Sequence, residues 1–285
     1  MSPRRNARAL APRPARRAAS GKTRALGQHF LLDETVSERM VALIQPTSRD
    51  LVVEIGPGRG ALTGRLARAA GKLVALEVDQ ALASALREHF AGVSHVEIRD
   101  ADARTFDYAS LAGLKPEAGG RVIVAANLPY SVAKPILQAL VEARPAVDEM
   151  ALMLQKEVAE RIDASPGGRT YGSLSVLTQV SCESHLVFTV PPGAFRPPPQ
   201  VDSAVVHLRG RREPLVPAGE AARFRTVVLA AFSQRRKNLA NALAAGLGIA
   251  AERARSLCDA AEVDPGRRAE TLTIEEFARL ARTQG

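Results

Sequence analysis

The chain is 285 residues long and 46% hydrophobic, with a formal charge of +9 from 39 Lys and Arg against 30 Asp and Glu. That is enough to bury one large core, or one core and a small second domain, and no apolar run is long enough to span a bilayer. Two cysteines, Cys182 and Cys258, with no close Cys or His cluster, argue against a disulfide framework and a metal site, and no apolar stretch follows the basic N-terminus as in a signal peptide.

The charge is unevenly placed. Residues 1–24 hold eight basic residues and no acid, residues 211–285 carry +4, and the middle is slightly acidic. Basic flanks suit a polyanionic partner, although a basic tail is also ordinary solubilising sequence. "MSPRRNARALAPRPARRAASGKTR" has no amphipathic period that survives its prolines, so 1–23 is expected to be a disordered basic tail.

Strands and helices then alternate. "LVVEI" (51–55), "LVALEV" (73–78), "HVEIRD" (95–100), "RVIVAAN" (121–127) and "EMALMLQ" (149–155) read as strands. Helices are expected over 61–70, 80–90 and 132–143, with Pro135 tolerated in the first turn of the last. Strand then helix, repeated, predicts an α/β fold: a mostly parallel, Rossmann-like sheet with helices on both faces. "LVFTV" (186–190) and "VDSAVVHLR" (201–209) suggest an antiparallel edge. Near 210 the strand signals stop. "EAARFRTVVLAAF", "RRKNLANALAAGL" and "TIEEFARLART" carry helical spacing, so a domain over 24–210 is expected to precede a small all-helical domain over 211–285.

"VVEIGPGRGALTGRLA" places Gly56, Gly58 and Gly60 between a strand and a helix, where the backbone can turn tightly and approach a ligand. Glu77 ends the next strand, where a carboxylate can bind ribose hydroxyls. Gly56-x-Gly58-x-x-Ala61 also satisfies the dinucleotide pattern, so two ligands fit. S-adenosylmethionine (SAM) is favoured over a dinucleotide. Glu54, just before the loop, suits an ammonium and repels a pyrophosphate; the glycines fall as Gly-x-Gly-x-Gly; and Asp102 can accept from an adenine amino group.

Ligands in open parallel sheets bind beyond the carboxyl ends of the strands, which puts Gly56, Glu77, Asp102 and Asn127 on one rim. In "VIVAANLPYS", Asn127 and Pro129 could be simple strand punctuation. Yet the Asn127 side-chain oxygen can accept from an exocyclic amino group. Pro129 biases Leu128 toward an extended conformation that turns its carbonyl to the same amine, and Tyr130 can stack on a base. Two acceptors and a ring describe a pocket for the amino group of a purine held out of its helix.

"LGQHFLLD", "EIGPGRGALT", "ALEVD", "DADA", "NLPYSVAKPIL", "MLQKEVAERI", "YGSLSV", "PPGAFRPPPQVDSAVVHL" and "FSQRRKNLANAL" together resemble the bacterial 16S rRNA adenine N6,N6-dimethyltransferase family, from about residue 24 to the last helix. The resemblance implies a class I SAM-dependent methyltransferase fold. It implies a cytoplasmic enzyme that dimethylates two adjacent adenosines near the 3′ end of small-subunit rRNA during ribosome assembly, with the small subunit as partner; nothing in the sequence demands more than a monomer. SAM contacts are implied at His29, Leu31, Gly56, Glu77, Asp102 and Asn127, and the glycine loop itself adds Glu54 and Gly58 to the expected cofactor site. His29 stands where the family commonly has Asn. The target-base pocket is implied at Asn127, Leu128, Tyr130 and Phe195, with Pro129 setting the Leu128 conformation; domain charge and the resemblance together favour phosphate contact at Arg235, Arg236 and Lys237, and Arg267 and Arg268 are a similar candidate pair with weaker support. The related large-subunit methylases that confer macrolide resistance share fold and chemistry, but "NLPY", "PPGAFRPPP" and the second domain favour the assembly enzyme. A non-catalytic RNA-binding relative is disfavoured by the retained Gly56, Glu77, Asp102 and Asn127. A nicotinamide-dependent reductase is the weakest alternative.

Overall fold

The computed structural model describes residues 28–115 and 118–284, so the tail expected over 1–23 lies outside the described residues. The β-branched runs become strands because both of their faces are covered. β1 (Phe30–Leu31) is followed by α1 (Glu34–Ile44), β2 (Leu51–Ile55), α2 (Thr63–Ala69), β3 (Lys72–Glu77), α3 (Gln80–His89), β4 (Val96–Asp100), β5 (Val122–Asn127), α4 (Ala133–Glu142) and β6 (Glu149–Gln155). After α5 (Lys156–Ile162) and α6 (Ser173–Gln179) come β7 (Cys182–Val190), β8 (Phe195–Arg196) and β9 (Ser203–Gly210).

The main sheet has seven strands in the order β4-β3-β2-β5-β6-β9-β7. β4, β3, β2, β5 and β6 pair in parallel, with Ile55 opposite Leu76 and Ala126. Val52, Leu73, Ile123, Ala125 and Met153 share one core with Val36, Met40 and Ile44 of α1, Leu66 of α2 and Leu86 of α3. The alternate residues Val53, Ile55, Val74, Leu76, Val124 and Ala126 are also buried, so the sheet is covered on both sides, as its uninterrupted apolar runs require.

The opposite ends of the strands are pinned by charge. Arg121 donates to Asp50 at 2.8 Å and to Glu149 at 2.5 Å, and His207 lies 2.6 Å from Glu149. Burial works against ionisation of Asp50, yet hydrogen bonds from Arg121 and Thr47 hold its carboxyl down at about 2. This network ties the starts of β2, β5 and β6 to β9 and fixes the register in which their far ends reach the site.

The helical part corrects one expectation. The described chain divides into a unit running to Lys156 plus Val187–Leu208, and a second unit made of Glu157–Leu186 and the residues from 209 onward. Residues 157–186 therefore leave the 24–210 domain expected from sequence. The reason is packing: Ala164, Tyr171, Val176 and Val180 share a core with Phe224, Leu243 and Phe277. The second unit also holds α7 (Ala221–Ala231), α8 (Leu239–Leu247), α9 (Ala251–Ala260) and α10 (Ile274–Thr283). Cys182 and Cys258 are buried thiols, and burial pushes Cys258 up to about 11.

Candidate active site

A cavity opens at the carboxyl ends of β2, β3 and β5, and its wall comes entirely from the first unit. Every residue assigned from sequence to the cofactor or the target base lines it. The turn after β2 is possible because Gly56 and Gly58 have φ of 66° and 57°. Such values strain any residue with a side chain. A Cβ on Gly58 would also lie 3.1 Å from Cδ1 of Phe30, so the loop and β1 touch.

β1 brings a second wall. It pairs antiparallel with β8, setting Leu31 opposite Phe195. The Leu32 amide donates to the Ala194 carbonyl at 2.8 Å. His29 Nδ1 lies 2.7 Å from the Pro197 carbonyl, and since a carbonyl only accepts, this nitrogen carries a proton. Phe195 is 4% exposed and belongs to the core, but it also borders the cavity.

Glu54 is the most unusual group. It is 1% exposed, and its Oε2 has no hydrogen-bond partner. Burial, with help from the Glu77 charge, pushes its carboxyl up to about 8. The nearby Thr63 hydroxyl opposes this without completing hydrogen-bond geometry. Glu77 accepts from the Gly58 amide at 3.0 Å and the Asp79 amide at 2.9 Å, so it braces the glycine loop as well as lining the cavity. Burial raises its pKa, and those amides pull it back.

Asp102 differs from the free acceptor expected from sequence. Arg104 grips it bidentately, with Nε 3.0 Å from Oδ1 and Nη2 2.5 Å from Oδ2, and these bonds lower its pKa. Arg104, two residues along a loop, had no periodic signal to mark it; only the placement of a cation beside a proposed acceptor hinted at it.

Asn127 Nδ2 donates to the His29 carbonyl at 3.1 Å, so its Oδ1 is the atom left to accept from a ligand. Leu128 is held by its amide donating to the Met153 carbonyl, and no described residue donates to its own carbonyl. The Tyr130 hydroxyl pairs with the Ser203 hydroxyl at 2.7 Å, and burial raises its pKa. Ser203, at the start of β9, carries no signal in the sequence that would mark it as a site residue.

The basic cluster sits differently from its expected place at a helix start. Arg235, Arg236 and Lys237 are exposed in the turn before α8, whose N-cap is Asn238. Arg235 donates to the Arg169 carbonyl at 2.9 Å. Arg267 is committed elsewhere: it pairs with Glu276 at 2.5 Å and donates to the Thr271 carbonyl. Arg268 is exposed, 3.8 Å from Glu270.

The sequence profile of the family described as "Ribosomal RNA adenine dimethylase" matches residues 19–283. The chain belongs to that family. Among its relatives, the ribosomal RNA small subunit methyltransferase A of Geobacter metallireducens is 43% identical, covering 91% of this chain and 94% of the relative. The protein of the same name from Nitrosococcus oceani is 44% identical, covering 90% and 93%. Solved structures agree on the fold. The 23S rRNA methyltransferase ErmE superposes with a TM-score of 0.67 at 26% identity, covering 89% of this dimethylase and 98% of ErmE. A Plasmodium falciparum dimethyladenosine transferase gives 0.72 at 24%, covering 88% and 96%.

SAM is the cofactor of this dimethylase class, and the residues present fit it. A buried carboxyl with an unpartnered oxygen calls for a cation, which SAM brings as its ammonium. Gly56 and Gly58, at positive φ and on the cavity wall, leave backbone without side chains where a ligand can approach closely. A pyrophosphate would meet Glu77 and Asp102 with like charge and would leave the buried Glu54 oxygen without a cation.

Proposed function

We propose that this protein dimethylates N6 of two adjacent adenosines near the 3′ end of small-subunit (16S) rRNA during subunit assembly. The observation that carries the reading is the orientation of Asn127. Its amide nitrogen is spent on the His29 carbonyl, which leaves an oxygen acceptor on the cavity wall beside the Leu128 carbonyl and the Tyr130 ring.

SAM supplies a methyl group on a cationic sulfur. The chain does the rest by positioning. Glu54 would hold the ammonium, Glu77 the ribose hydroxyls and Asp102 the adenine amino group, with Leu31 packing beside them. The target adenine stacks on Tyr130, with Phe195 and Pro129 bounding its pocket. Adenine N6 is a poor nucleophile because its lone pair is delocalised into the ring. In the first transfer Asn127 Oδ1 and the Leu128 carbonyl accept its two hydrogens and favour a tetrahedral nitrogen whose lone pair is available; in the second, one of them accepts the single hydrogen that remains. No strong general base is needed: as the methyl passes from sulfur to nitrogen the sulfur would leave as a neutral thioether, and the nitrogen proton, acidic once the methyl is attached, would pass to water. Arg235, Arg236, Lys237 and Arg268 meet rRNA phosphates, while Arg267 serves mainly to brace α10. The enzyme works as a cytoplasmic monomer on the small subunit, and no described helix is long and apolar enough to cross a membrane.

Asn127→Ala tests the reading. Methyl transfer to small-subunit rRNA should fall by at least about a hundredfold, the scale of losing a positioned acceptor. SAM binding should stay measurable by calorimetry. Full activity in that variant would remove Asn127 from the chemistry.

A further inference from the structure

The charged and titratable groups on the cavity wall are unequal in what they have left to give. Three acids line it, Glu54, Glu77 and Asp102, and three groups that can carry positive charge, His29, Arg59 and Arg104. A ligand ending in an α-amino acid brings a carboxylate as well as an ammonium. A carboxylate entering beside three acids needs a cation with free donors.

Two of the three cannot supply it readily. Arg104 has its Nε and Nη2 on Asp102. His29 has spent Nδ1 on the Pro197 carbonyl. Arg59 is different. Its guanidinium carbon lies 4.7 Å from the centre of the Phe30 ring, and it makes no hydrogen bond or ion pair with any described residue. Phe30 in turn rests against Gly58, the neighbour of Arg59 in the glycine loop. A guanidinium held on a ring face keeps its in-plane N–H fork available, and that fork matches a carboxylate. The ring contact also limits the conformations the long side chain would otherwise lose on binding.

We propose that Arg59 receives the α-carboxylate of the cofactor, held in place by Phe30. This rests on the SAM reading given above. Glu54 and Arg59 then form a pair of opposite charges that recognises the zwitterionic end of the ligand. It also discriminates against ligands that carry the same nucleoside without that end.

The test is calorimetric binding to the purified protein of three ligands: SAM, S-adenosylhomocysteine, and decarboxylated SAM, which keeps the sulfonium and ammonium but lacks the carboxylate. Arg59→Ala should weaken SAM and S-adenosylhomocysteine about tenfold, as expected for a partly exposed charge-assisted contact. Decarboxylated SAM should bind Arg59→Ala and the parent protein equally, and Arg59→Lys should recover part of the loss for SAM. Equal weakening of all three ligands would overturn the proposal and reduce Arg59 to a packing partner of Phe30. No weakening of any would overturn it too, and loss of RNA binding in that same variant would assign Arg59 to the nucleic acid. If the parent protein binds none of the three, it is the cofactor reading that fails. Thermal unfolding of each variant shows whether a loss of binding reflects a loss of fold.

Discussion

Glu54 shows how one residue can carry both a structural cost and a recognition role. Its folded value of about 8 lies above the ordinary 4.5, so the folded protein keeps a proton that the unfolded chain gives up. The stabilising contribution is therefore complete below about 4.5 and lost as pH rises through about 8. We predict that thermal stability without ligand declines over that window and that Glu54→Gln flattens the decline. An unchanged slope would mean that Glu54 is already ionised and partnered. Glu54 was legible in the sequence because an acid beside a glycine loop has a charge argument of its own. Asp102 was legible as a position, but its grip by Arg104 was not, since an ion pair two residues apart leaves no pattern. Phe195 was legible only through resemblance. Its burial is that of a core aromatic, and its place on the cavity wall follows from pairing with a strand far away in sequence.

At the level of elements, the long parallel strands could be read directly because burial on both faces forces continuous apolar runs. Two-residue strands have no period to read. β1 and β8 therefore escaped sequence reading, although together they bring His29, Leu31 and Phe195 to the site. α1 escaped too, although Asp33 caps the Thr35 amide and Val36, Met40 and Ile44 recur at helical spacing on its buried face. The seam between β1 and the glycine loop gives a prediction. Gly58→Ala places a side chain at a φ of 57° and within 3.1 Å of the Phe30 ring. It should cost about 1–2 kcal/mol of stability from backbone conformation alone. Because Phe30 must shift, it should also weaken SAM binding. Denaturant unfolding and calorimetry check the two effects. Wild-type values in both would show that the seam is loose.

At the scale of the whole molecule, the change from alternating strands and helices to helices alone is visible in the sequence after β9, which ends at Gly210, and the helices that follow begin with Ala221–Ala231. It could not show that 157–186 belongs with that segment. α5 and α6 lie between strands in the chain, and only packing assigns their apolar residues to the other core. The exposed Arg235, Arg236 and Lys237 form a turn in that second unit, and their neutralisation should weaken binding to small-subunit RNA. The slope of log affinity against log salt should become shallower by up to about 2–3, one counterion for each lost phosphate contact. An unchanged slope would return the cluster to a solvated surface. The central claim is tested most directly by supplying the protein with labelled SAM and either immature small subunits or large-subunit RNA, then mapping the modified nucleotides. N6,N6-dimethyladenosine is expected at two adjacent positions near the 3′ end of the small-subunit RNA. Label in large-subunit RNA instead, or in neither, would contradict it.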